Sequence, residues 1–165
     1  MNPSFRVIQL KNLLHLAVAI ALPLAVGGLS ALLTANSRSY YEALAKPPLS
    51  PPGAAFPIIW TFLYIFIGIA SYLVYKQGFE KDNVRDALYY YAASLVVNFI
   101  WPLVFFRYQM PFLAFWVLLL YWLLVGITTA KFYRINHAAG LLMLPLWLWV
   151  TFAGYLNLSV WLLNR

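Results

Sequence analysis

Residues Tyr40–Tyr75 read YYEALAKPPLSPPGAAFPIIWTFLYIFIGIASYLVY. The first half, from Lys46 to Gly53, contains four prolines and is barred from forming a helix, because each ring fixes φ and pushes its predecessor toward extended geometry. The second half, Ala55–Tyr75, is uncharged and apolar for about the 20 residues that a membrane-spanning helix needs. Pro57 falls in its first turn, where proline is tolerated. Phe56, Trp60, Tyr64, Gly68, Ser71 and Tyr75 recur at helical spacing and share a face. That face is aromatic with polar tips, and buried Trp and Tyr need a partner for N–H or O–H.

The same pattern repeats along the chain. Of 165 residues, 64% are hydrophobic and 9% charged, against about 25% charged in a soluble domain. So few charges cannot cover a water-facing surface, so lipid is the main solvent. The sequence predicts an all-α, five-helix transmembrane bundle forming one domain over 1–165, with spans at 13–34, 55–75, 87–106, 111–130 and 138–163. The first span is too long for the apolar core of a signal peptide, about 7–15 residues, and is read as a retained helix. Pro23 is expected to kink it, and Gly27, Gly28 and Ala31 offer a small-residue face. In the third span, Asn98 is an amide at membrane depth, with Trp101 and Phe105 on its side and Pro102 expected to bend the helix. In the fifth, Pro145, Trp149, Ala153 and Leu156 form a face, with a second amide at Asn157. Residues 35–54 form the longest loop, 76–86 and 131–137 short charged loops, and 107–110 a tight turn.

The net charge of +7 does not point to nucleic acid. The basic residues stand singly between apolar runs, as topology signals and contacts to anionic lipid do. Arg6, Lys11, Lys76, Lys81, Arg85, Lys131 and Arg134 share the N-terminal side, against Arg38, Lys46, Arg107 and Arg165 opposite. This bias puts the N-terminus inside. There is no cysteine, which excludes disulfides and thiolate chemistry. No Asp or Glu lies in a span, where an ion-coupled carrier keeps one. No paired carboxylates, Ser/His/Asp set or phosphate loop appears, and no metal site is expected. His15 and His137 read as interfacial.

At 1.5 Å per residue, Trp60 falls roughly 8 Å below the proline loop and Asn98 roughly 15–20 Å from the other side. Gly27, Gly28 and Trp149 reach a similar zone. An aromatic cavity with few polar groups, capped by a stiff loop, suits a flat lipophilic ligand. Ordinary bundle packing by aromatics, with the loop a plain spacer, is the alternative.

The residues resemble the translocator protein family, also called tryptophan-rich sensory proteins or peripheral-type benzodiazepine receptors. The likeness covers nearly the whole chain. It is carried by YYEALAKPPLSPPG, FPIIWTFLYIFIGIASYLVY, NFIWPLVFF and LPLWLWVTFAGYLNLSVWLLN. It implies a five-helix bundle, usually a homodimer, that binds porphyrins and, in animal members, cholesterol and drug ligands. By that resemblance Tyr41 and Pro51 close over the ligand, Trp60 lines the pocket, Asn98 and Trp101 form the third-helix pair, and Trp149 and Ala153 face the ligand. Protoporphyrin IX is the implied ligand, and no cofactor is required. Trp60 and Trp149 also match tryptophans implicated in light-dependent porphyrin breakdown by some bacterial members. Tyr40 and Leu49 stand where the family often has Trp, the acidic residue of the fourth helix has no match, and the C-terminal cholesterol segment is not reproduced. The expectation is a membrane receptor or carrier for tetrapyrroles, with a porphyrin-degrading enzyme or a sensing scaffold as rivals. Its place is a bacterial cell membrane, or the mitochondrial outer membrane in a eukaryote.

Overall fold

The computed structural model describes residues 3–165, with side chains from Leu10 onward except Arg38. Six α-helices form: α1 (Pro3–Leu33), α2 (Arg38–Ala43), α3 (Ala55–Tyr75), α4 (Asp82–Pro102), α5 (Pro111–Ile135) and α6 (His137–Leu163). No strand occurs among the described residues. Among the described residues, five segments are long and apolar enough to cross a membrane: Leu10–Leu33 of α1, α3, Asp82–Arg107, α5 and α6. The all-α, five-span reading therefore holds. The side chains of Arg6 and Arg38, which enter the charge bias, lie outside the described residues.

The differences lie at the ends of the elements. Residues 35–43 are not open loop: a 3-10 turn at Ala35–Ser37 leads into α2, and only the proline-rich part is extended. The expected loop at 131–137 shrinks to Asn136. Helix α5 runs through Ile135, and Asn136 turns to φ −150°, ψ 114° while its side chain accepts from the Ala139 N–H at 3.0 Å. That is an N-cap, and it satisfies one of the four orphan donors at the start of α6. The tight turn needs Gly140, because a Cβ there would lie 2.5 Å from the Tyr133 Cα.

Pro23 does not interrupt α1, and it is buried. Pro102 changes the winding. Lacking an N–H, it cannot bond the Asn98 carbonyl, and the next turn, Leu103–Arg107, is π-helical. Its register shows in the Tyr108 N–H, which donates to the Leu103 carbonyl five residues back at 2.9 Å. The wider turn ends α4 in a cluster of rings, Trp101, Phe105 and Phe106, with centroids 4.8–5.9 Å apart.

Side by side, the spans run α1, α3, α6, α5, α4 and back to α1. Lipid tails are as apolar as leucine, so packing rather than water exclusion holds such a ring together. Small residues set the spacing. A Cβ on Gly68 of α3 would lie 2.6 Å from the Ile20 Cα and 2.8 Å from the Ala19 carbonyl oxygen of α1. Gly126 faces inward, 3.2 Å from the Trp147 indole nitrogen for an added Cβ, so it serves packing within the chain. Far from the proline loop, the bundle is solid: Ile67, Val74, Val84, Ala87, Val125, Phe132 and Met143 are fully buried. Ion pairs Arg85–Asp82 and Lys131–Asp86 lie at that end. Toward the loop the helices part, and the interior opens.

Candidate functional site

A cavity of about 940 Å³ occupies the loop-side half of the bundle, near the top of the 300–1,000 Å³ range of small-molecule sites. Its walls come from α1, α3, α4 and α6, and the proline loop closes the end. Helix α1 contributes small residues (Gly27, Gly28, Ser30, Ala31, Thr34), so its backbone forms a smooth wall. Rings from α3 and the α4 end line it too: Phe56, Trp60, Tyr64, Trp101, Phe105 and Phe106, with the Tyr64 ring against Gly27 of α1.

The polar tips largely meet one another. The Tyr64 hydroxyl donates to Asn98 Oδ1 at 2.8 Å. The Trp101 indole donates to Asn157 Oδ1 at 3.0 Å, and Asn157 Nδ2 donates to the Pro111 carbonyl at 2.7 Å. Ser30 and Thr34 turn their hydroxyls back to α1 carbonyls, Gly27 at 3.0 Å and Ser30 at 2.9 Å. Buried amides and indoles are costly when unpaired, and these pairs tie α3 to α4 and α4 to α6. The two in-membrane amides are thus structural cross-links that border the cavity.

Of the seven residues singled out from the sequence, Tyr41, Pro51, Trp60, Asn98, Trp101 and Ala153 all border this cavity. Trp149 is not among its lining residues. It packs edge-on with Phe56, ring centroids 6.0 Å apart, and its indole N–H is buried without a partner. The α6 face seen in the sequence is split: Ala153 and Leu156 reach the cavity, whereas Trp149 packs on the α3 ring. His15 meets Tyr75 and His137 meets Tyr133 edge to face, centroids 5.6 and 4.6 Å apart. Among the described residues no group of His, Asp or Glu could hold a metal ion.

The roof is pinned. The Asn164 side chain accepts from the Ala45 N–H and donates to the Ala45 carbonyl, both at 2.9 Å. The Tyr155 hydroxyl donates to the Pro48 carbonyl at 3.1 Å. Leu49 follows with φ +73° and is 80% exposed, a left-handed turn that strains a leucine. Tyr41 of α2 packs edge-on against Phe56 and Phe106 at 6.1 and 5.8 Å. Burial pushes its phenol above the ordinary value, so it stays neutral. Lys46 and Glu42 also border the cavity; as loop charges they carry no spacing signal, and only the fold reveals them. Tyr64 and Asn157 did carry one, a polar tip inside an apolar run.

Comparison with known proteins agrees with this architecture. Residues 19–162 match the TspO/MBR family. The tryptophan-rich protein TspO of Chlorobaculum tepidum is 37% identical over 155 residues, 93% of this chain and 98% of that protein. Its namesake from Archaeoglobus fulgidus is 34% identical, covering 93% and 99%. The translocator protein of Bos taurus is 34% identical over 128 residues, 76% of this chain and 75% of its own length. With five apolar spans and a match over most of its length, the chain is an integral membrane protein and belongs to the TspO/MBR family.

Proposed function

We propose that this protein is a membrane receptor or carrier for tetrapyrroles, with protoporphyrin IX as the representative ligand. One observation supports this above the rest. The cavity is large and lined by small residues of α1 and by aromatic rings, among them Trp60 and Tyr64, with centroids 5.3 Å apart and planes tilted by 30°. A flat macrocycle suits a roomy cavity lined by small residues and aromatic rings, since offset ring contacts contribute about 0.5–1.5 kcal/mol each beyond burial. The polar groups at its edge are few and mostly paired, as expected for a lipophilic guest. The proposal includes a bacterial cell membrane with the N-terminus inside, from the charge bias, and a homodimer, for which the outward-facing Ala92 and Ala93 of α4 offer a small-residue contact.

The test is a titration of purified protein with protoporphyrin IX, followed by quenching of tryptophan fluorescence. The informative variant is Gly28→Phe. Gly28 borders the cavity, and a Cβ there meets nothing within 4 Å, so the ring enters open space and fills the slot. Saturable quenching in the wild type that is lost in Gly28→Phe is the expected result. Equal affinity in both proteins would remove the cavity as the site, and no saturation in either would remove the ligand.

A further inference from the structure

Helices α1 and α3 meet along two facing stripes, Ile20, Gly27, Ala31 and Thr34 on α1 and Gly68, Tyr64, Thr61 and Pro57 on α3, whose steps of three, four or seven residues keep each to one side of its helix. The chain climbs α1 toward the proline loop and descends α3 away from it, so the stripes pair in reverse order. The inner part of the seam is shut. A Cβ on Gly68 would strike the Ile20 backbone, and one on Gly27 would strike the Tyr64 ring. One turn nearer the loop the seam is open. Ala31, Thr34, Thr61 and Pro57 all border the cavity, and Ala31, Thr61 and Pro57 are exposed as well. Bordering the cavity does not by itself expose a residue: Asn98, Ala153, Leu156 and Asn157 border it and are buried. Residues that are both wall and outer surface mark where the wall is breached. They lie on α1 and at the start of α3, and Pro52, Gly53 and Ala54 continue the rim.

The breach has the chemistry of a surface that meets lipid. Neither Leu13–Thr34 nor Ala55–Tyr75 contains a charged residue. The two threonine hydroxyls on the rim donate to their own helices, Thr34 to the Ser30 carbonyl at 2.9 Å and Thr61 to the Pro57 carbonyl at 2.8 Å. Beside the rim, α1 exposes Leu29, Leu32 and Leu33. The way through the roof is held by the bonds from Asn164 to Ala45 and from Tyr155 to Pro48. The loop-side end of the α1–α3 seam has no such bond across it among the described residues.

We propose that the loop-side end of the α1–α3 seam is a lateral portal, through which a flat lipophilic ligand passes between the bilayer and the cavity. This rests on the tetrapyrrole reading and adds the route. An apolar macrocycle leaves water for lipid before it meets any protein, so an opening toward the bilayer faces the larger supply. The small side chains of α1 at the rim then leave width for the ring, in addition to any role in helix packing.

The chain has no cysteine, so introduced thiols are unique. Two full-length double variants are joined with a short bismaleimide, and joining is confirmed by mass: Ala31→Cys with Thr61→Cys across the portal, and Ala45→Cys with Asn164→Cys across the roof. Each is reconstituted in liposomes. Uptake and release of protoporphyrin IX are followed by tryptophan quenching in stopped flow, before and after joining. The portal link is expected to slow uptake and release alike, by about tenfold or more, with affinity unchanged, because a barrier raised between two states does not alter their difference. Thr61→Trp, which narrows the rim without a linker, should slow both rates in the same sense. The roof link should leave both rates as they were. Unchanged rates in the two portal proteins, weaker binding without slower uptake, or a roof link that slows exchange as much as the portal link overturns the portal, while saturable binding leaves the tetrapyrrole reading intact. Failure of the unjoined protein to saturate overturns the two together.

Discussion

Gly27 and Gly28 are neighbours on α1 with identical side chains, yet the structure gives them opposite fates when a methyl group is added. At Gly28 a Cβ meets nothing within 4 Å. Gly28→Ala therefore gains only the helix preference of alanine, about 1 kcal/mol. At Gly27 the Cβ would stand 2.1 Å from a ring carbon of Tyr64, with the ring's next carbon and hydroxyl at 2.5 and 2.7 Å. To restore ordinary contact at 3.4 Å, the ring edge must retreat by about 1.3 Å, more than well-packed interiors yield without cost. That motion pulls its hydroxyl from Asn98, now 2.8 Å away. Overpacking costs about 1–3 kcal/mol, and a buried pair left open about 1–3 kcal/mol more. The same 1 kcal/mol of helix preference opposes these. Gly27→Ala should thus be less stable than Gly28→Ala by about 2 kcal/mol or more. Thermal unfolding of the two variants in the same detergent measures this as a gap of roughly 5 °C, at about 2–4 °C per kcal/mol for a chain of this size. Because the displaced ring moves toward the cavity, Gly27→Ala should also bind protoporphyrin IX more weakly than Gly28→Ala. Equal melting temperatures for the two would refute the reasoning, since it would mean that Tyr64 does not rest on α1.

Two further outcomes are expected. Gly68→Ala should destabilise more than Gly27→Ala, because the added Cβ meets the backbone of Ile20 and Ala19 rather than a side-chain tip, and a whole helix must shift; a melting temperature at or above the wild type would contradict the α1–α3 crossing. Asn164→Ala should release the roof, raising amide hydrogen exchange at Ala45 several-fold for the loss of bonds worth about 1 kcal/mol, and unchanged exchange would show that Asn164 does not hold the loop.

Much of the site was legible because membrane sequences advertise exceptions. Asn98 and Asn157 stand out as amides in apolar runs, and Trp60 and Tyr64 as polar-tipped rings on one helical face. Six of the seven chosen residues border the cavity. Trp149 does not, because helical spacing gives a direction but not the neighbour: its ring packs edge-on with Phe56, from another helix. Likewise Lys131, read as a loop charge, is on α5 and pairs with Asp86. A lysine near the end of a span looks the same whether the helix stops before it or continues past it.

The number of spans, their order and the stiffness of the proline loop follow from the sequence by itself. Apolar length and proline content act locally, and no partner can change them. The ring order of the helices, the separate roles of Gly27 and Gly28, the packing of Trp149 on Phe56 and the place of Lys46 beside the cavity were decided only by tertiary structure. Each depends on which atoms of a distant segment arrive at the same place. In lipid that choice rests on close packing and paired polar groups, and neither has a period that can be read along the chain.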